Sequence, residues 1–318
     1  MNRRNIVMIT GGLGNQLFQL AFALSKSRGS RFYIETRIGR PRTSIAGIPE
    51  VANFQLPTNV TFLENKESKF IRKIFGYTLR SRISPNKVER LAIYLPTTKR
   101  ITEAFLSLYF RRSLKLVTPR TVGYEDLDVS KKRGNVFIGY FQSHKWALEA
   151  ETYSQLMQLY IANPSLELRE LQQNSINGKP LVVHIRLGDY KSEASFGILG
   201  KEYYKYAIEE IMRDGHCKDI WVFSDEPELA KSYFPEEFRG ITKWITSTQD
   251  SASETLEAMR LGYGYVIGNS TFSWWGALLT HNPGAKVIAP KPWFRSMETP
   301  KDLIPLEWEQ KTAMHTKN

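Results

Sequence analysis

Beyond residue 180 the chain is a succession of short apolar runs, each followed by a stretch with helical spacing. Strand-like runs cover 180–186, 220–224, 264–268 and 286–289, and helical patterns cover 202–213, 253–261 and 271–280. Strands that alternate with helices through short connections predict a doubly wound parallel sheet, with strands buried on both faces. In such sheets ligands bind beyond the carboxyl ends of the strands, so the residues that follow each run carry most of the functional information.

The first part of the chain begins the same way. An apolar run at 6–9 leads into Gly11-Gly-Leu-Gly14, then a helix over 15–27 with Leu17, Leu20, Ala21 and Leu24 on one face, then a β-rich run at 31–35. Residues 40–65 hold Pro41, Pro49 and Pro57 and read as loop-rich. Helices are predicted over 86–95 and 101–114, a strand over 136–141 and a helix over 144–161. Asn163-Pro164 and the polar 172–179 interrupt the pattern. The expected organisation is therefore a first Rossmann-like domain over 1–162 with a basic helical insertion at about 69–120. A second follows over 163–308, and 309–318 forms a flexible tail.

Three strand ends carry residues suited to a charged ligand. His184-Ile-Arg-Leu-Gly-Asp-Tyr190 follows an apolar strand and puts His184 and Arg186 on one side of it. A guanidinium there can grip two phosphate oxygens; it reads equally as a surface pair of Arg186 with Asp189. Gly268-Asn-Ser-Thr-Phe-Ser-Trp-Trp-Gly276 runs from a strand into a helix start, where Asn269, Ser270, Thr271 and Ser273 offer caps and hydroxyls and the helix dipole favours an anion. Plain capping, with Trp274 and Trp275 as core, accounts for the same residues. Thr10-Gly-Gly-Leu-Gly-Asn-Gln16 lets the backbone approach a ligand at Gly12 and Gly14. It begins like a dinucleotide fingerprint, with Glu35 at the acidic ribose position, but lacks the third glycine. At a fourth strand end, Phe223-Ser-Asp-Glu226, Ser224 or Asp225 can contact a base or ribose, or form an exposed turn. Asp126-Leu-Asp128 has metal-clamp spacing but sits in a polar, surface-type segment.

These motifs occur in order and resemble glycosyltransferase family 11, the alpha-1,2-fucosyltransferases. The similar segments are Gly11 to Gln19, Gly139 to Ser143, His184 to Tyr190, Phe223 to Glu226 and Asn269 to Trp275, spanning roughly 6–294. Leu187 stands where the family usually has a second Arg, at the expected loss of one phosphate contact, and Glu226 stands where a second Asp is common. The resemblance implies a GT-B architecture, two Rossmann-like domains with parallel sheets facing a cleft. It implies an inverting enzyme that moves L-fucose from GDP-beta-L-fucose to a sugar hydroxyl, O2 of a galactoside, without a metal or other cofactor. Donor-site residues would be Gly12, Gly14, Asn15, Gln16, His184, Arg186, Ser224, Asp225, Asn269, Ser270, Thr271 and Ser273. Arg186 and the helix start would neutralise the departing GDP. Asn15 and Arg186 are catalytic candidates, and His184, Asp189 and Glu35 are candidates for a general base.

The charge distribution adds a partner expectation. The net charge is +12, and residues 69–120 alone carry 13 Lys/Arg against 2 Glu, leaving the rest of the chain near neutral. No zinc-finger spacing, RNA-binding motif or helix-turn-helix accompanies them, so nucleic acid is not the expected partner. A solvated basic face and a membrane-docking surface both fit. On the second reading the enzyme is peripheral to the inner face of a bacterial plasma membrane and acts on a lipid-linked oligosaccharide. With no long apolar run, no signal-peptide pattern and a single cysteine, Cys217, the expected compartment is the cytoplasm.

Overall fold

A computed structural model describes residues 4–37, 41–44, 47–64, 66–69, 71, 114–130, 132–188, 190, 195–246, 248 and 251–316. Two parallel sheets organise them. The first contains β1 (Asn5–Met8), β2 (Phe32–Glu35), β3 (Val60–Phe62), β4 (Leu114–Val117) and β5 (Gly134–Phe137), in the order β3-β2-β1-β5-β4. The second contains β6 (Leu181–Ile185), β7 (Ile220–Ser224), β8 (Thr242–Trp244), β9 (Gly264–Val266), β10 (Lys286–Lys291) and β11 (Glu309–Thr312), in the order β8-β7-β6-β9-β10-β11. This second order is that of a dinucleotide-binding sheet, and its direction of winding reverses between β6 and β9. In the first sheet the reversal falls between β1 and β5. The two-sheet arrangement implied by the motifs is therefore present.

The helices are α1 (Leu13–Ser27), α2 (His144–Ala147), α3 (Ala150–Met157), α4 (Leu166–Gly178), α5 (Lys201–Met212), α6 (Pro227–Ala230), α7 (Ala252–Met259) and α8 (Thr271–Leu278). Helix α1 is apolar almost all round because it is covered on every side, by its own sheet, by α2 and α3, and by α8 of the other half. Phe18 inserts against both Trp274 and Trp275, with ring centroids 4.5 and 4.8 Å away. One apolar cluster consequently runs from Val7, Phe18 and Leu24 through to Leu256, Trp274 and Trp275, joining the halves without a break. Leu181, Val183, Ile185 and Leu187 belong to a second cluster beneath α5.

Three expectations need correction. Residues 309–312 are no tail: β11 extends the sheet beside β10, and Thr316 N–H donates to Ile198 O. Its polar sequence is held by charge pairing, with Lys311 on Glu210 and Glu309 and with Lys286 also on Glu210 and Glu309. The 144–161 helix is two short helices, α2 and α3, separated at Leu148 and Glu149. Of the helices expected at 86–95 and 101–114, only Leu114 lies among the described residues, and it begins β4; nearly all of the basic 69–120 segment lies outside them.

Candidate active site

The carboxyl ends of β1, β5, β6, β7 and β9 converge on a cleft of about 1470 Å³ between the two halves. Its C-terminal wall includes His184, Arg186, Asp225, Ser270 and Thr271; its N-terminal wall includes Gly12, Asn15, Arg42 and Glu50.

Arg186 immediately follows β6, and Ser270 caps α8, on either side of the reversal between β6 and β9. The Ser270 hydroxyl accepts the Phe272 N–H at 3.3 Å. A guanidinium and a helix start that line one cleft are two sources of positive potential suited to an anion. Arg186 is paired with Asp225, its Nη1 3.2 Å from that carboxylate; Asp189, the partner expected from the sequence, lies outside the described residues. Asp225 also accepts the Leu187 and Gly188 N–H groups at 3.0 and 2.9 Å. The carboxylate that sequence reading assigned to a base or ribose therefore fixes the turn that presents Arg186. Gly188 has to be glycine here, since a Cβ would stand 2.3 Å from the Asp225 carboxylate.

His184 is buried, and its Nδ1 has no hydrogen-bond partner among the described residues. Burial, reinforced by the Arg186 charge and opposed by Asp225, lowers its pKa from 6.5 to about 4, so the ring is neutral at physiological pH. A neutral imidazole beside Arg186 can hydrogen-bond a ligand without carrying charge.

Asn15 lies between the halves. Its Oδ1 accepts from Gln142 Nε2 at 2.9 Å and from the Thr271 hydroxyl at 3.4 Å, tying the first switch point to the second. Gly14 serves the same junction: a Cβ on it would lie 2.6 Å from the Thr271 carbonyl carbon, and its own carbonyl accepts the Trp275 indole N–H at 2.8 Å. Its missing side chain accommodates α8 rather than a ligand. Asn269 lines the cleft, but its amide donates to Phe196 O and Gly197 O, and its carbonyl accepts the Tyr190 hydroxyl.

Four expected positions do not reach the cleft as assigned. Gln16 is fully buried, donating to Gly11 O and Arg42 O and accepting the Val51 N–H. Ser273 is buried with its hydroxyl on Ser270 O, because it faces the inner side of α8. Glu35 is sealed at the end of β2, where its carboxylate accepts the Arg37 N–H. Leu187 packs in the second cluster, so the absent second Arg costs no cleft contact at this position. Asp128 pairs with Lys115 on the surface, in line with its segment's polarity.

Sequence reading missed Arg42, Glu50 and Arg120, all of which line the cleft. They come from the proline-rich 40–65 stretch and the end of the basic segment, where no periodicity marks which face is inward.

Residues 5–310 match the family model described as Glycosyl transferase family 11. The chain belongs to glycosyltransferase family 11. Among family relatives it is similar to an Alpha-1,2-colitosyltransferase of Escherichia coli, 27% identical over 95% of this chain and 97% of that one. It is also similar to the O-antigen biosynthesis glycosyltransferase WbnK of Escherichia coli, at 24% identity over 90% of this chain and 93% of that one. The fold resembles that of the NodZ alpha-1,6-fucosyltransferase co-crystallized with GDP, with a TM-score of 0.51 at 15% identity over 88% of this chain and 93% of that one. The architecture of this family 11 chain is GT-B, and its cleft is the interface of the two Rossmann-like halves.

Proposed function

We propose that this family 11 glycosyltransferase moves L-fucose from GDP-beta-L-fucose to O2 of a galactoside in a surface glycan, with inversion and without a metal. The observation that carries the reading is Arg186, held by Asp225 at the sheet's switch point and lining the same cleft as the start of α8. Charge developing on the departing GDP is neutralised there by the guanidinium and by helix N–H groups, each charge-assisted bond contributing about 1.5–3 kcal/mol. The acceptor hydroxyl attacks the opposite face of the anomeric carbon, giving an alpha-L-fucoside. The test is acceptor-dependent GDP release from GDP-fucose, with chelator present, across a galactoside panel. Turnover that survives chelation and falls steeply in Arg186→Ala supports the reading. Absence of GDP binding to the wild type would end it.

A second donor is favoured by the relative named a colitosyltransferase. Colitose is the 3-deoxy counterpart of fucose, so the two donors differ by one hydroxyl. A site that hydrogen-bonds this hydroxyl rejects the deoxy sugar by about 10⁴-fold, whereas one that does not accepts both. Comparing kcat/KM for GDP-fucose and GDP-colitose therefore decides the donor. The net +11 over 69–120 supports peripheral docking on an anionic membrane with a lipid-linked acceptor. Cosedimentation with phosphatidylglycerol vesicles that salt abolishes is the expected result.

A further inference from the structure

Among the described residues lining the cleft, two carry carboxylates, Asp225 and Glu50. Asp225 is committed to Arg186 and to two backbone amides. Glu50 is not. It opens a short 3-10 helix, Glu50–Asn53, on the N-terminal wall, and its Oε2 is buried with no hydrogen-bond partner among the described residues. The Leu13 amide, Arg42 and Arg186 all favour its charged form. Burial outweighs all three and raises its pKa above the ordinary value.

The carboxylate lies beside the Gly12 backbone and the Arg42 guanidinium. A carbon placed where Gly12 would carry a Cβ is 3.8 Å from Arg42 Nη1 and 4.0 Å from Glu50 Oε2, with nothing nearer. A ligand atom resting on the Gly12 backbone therefore meets a cation and an unsatisfied carboxylate oxygen together. The diphosphate site at Arg186 lies on the other wall, so the sugar between them has its leaving group on one side and Glu50 on the other.

We propose that Glu50 is the catalytic base, its carboxylate taking the proton of the acceptor hydroxyl as that oxygen bonds to the anomeric carbon. The bond from this carbon to the diphosphate breaks in the same step, and its electron pair leaves with GDP. The assignment rests on the transferase reading above. Gln16 acts at one remove, as a positioning residue: by bonding Gly11, Arg42 and Val51 at once it sets the Gly turn, the Arg42 segment and the Glu50 helix against each other.

The test compares the purified wild type with Glu50→Gln and Gly12→Ala, using the GDP-sugar and acceptor that the wild type turns over. Glu50→Gln has the same shape without the charge, so its fold and GDP affinity should hold, while kcat falls by about 10²-fold or more. The wild-type kcat/KM should decline as pH drops and Glu50 takes up a proton; this acid limb should vanish in Glu50→Gln. Gly12→Ala fits the backbone, φ −75° and ψ 174°, and should bind GDP normally while raising the acceptor KM about tenfold or more. A Glu50→Gln enzyme within about fivefold of wild-type kcat, or one that keeps the acid limb, overturns the proposal. So does a Gly12→Ala enzyme with unchanged acceptor kinetics. A wild type that turns over neither GDP-fucose nor GDP-colitose overturns the transferase reading itself, a result separate from an active wild type with an indifferent Glu50→Gln.

Discussion

The Asp225 carboxylate holds the Arg186 guanidinium at 3.2 Å while accepting the amides of the two residues that follow Arg186 in sequence. A single side chain just beyond β7 thus folds the turn after β6 and aims the cation that turn carries. Asp225→Asn keeps the shape but removes the charge and leaves one amide facing a donor. Losing a charge-assisted bond of this kind should lower kcat/KM by about 10- to 100-fold and weaken GDP binding. Steady-state kinetics with calorimetric GDP titration checks this; a change confined to acceptor KM would contradict it.

The junction of α1 with α8 should be intolerant of a single methyl group. In Gly14→Ala the new Cβ meets backbone of Thr271 and Phe272 at 2.6–2.7 Å, and backbone cannot swing aside as a side chain would. Overpacking of this sort costs about 1–3 kcal/mol. The expected result is a lowered midpoint of thermal unfolding, together with reduced activity as Asn15 and Thr271 move apart.

His184 makes stability depend on pH in a defined direction. Its native pKa of about 4 lies below its ordinary 6.5, so the unfolded chain binds the proton more tightly. Its contribution is complete above pH 6.5 and is lost as pH falls through 4, amounting to about 3 kcal/mol in all. Unfolding measured from pH 7 to 4 should show a decline that is shallower in His184→Gln.

Gln16→Leu removes three hydrogen bonds to backbone groups without touching the cleft. The variant should lose kcat through displacement of Glu50, with GDP affinity kept because Arg186 and α8 are untouched. Parallel losses of kcat and GDP binding would instead indicate general unfolding of the N-terminal wall.

Legibility followed the chemistry of each segment. The ends of β6, β7 and β9 were readable because buried β-branched runs stop abruptly at polar residues, and a strand's two-residue period fixes which of them share a side. Gln16 and Ser273 were misassigned since a polar residue beside a glycine turn or a helix cap looks the same whether it bonds ligand or backbone. Glu50 gave no signal at all: the short helix that carries it is held through the Val51 N–H on Gln16, a tertiary fact with no local pattern. β11 was misread because Glu309-Gln-Lys-Thr312 has tail-like composition, and its partners, Glu210 and Lys286, are remote in sequence.

The apolar cluster that runs unbroken from β1 to α8 means the GT-B halves are not separable folding units. Cutting the chain between α3 and α4 would expose Phe18 on one fragment and Trp274 and Trp275 on the other, aromatic surface that neither can bury alone. Calorimetry of the intact protein should therefore record one cooperative heat-absorption peak spanning both halves, and each half expressed singly should aggregate.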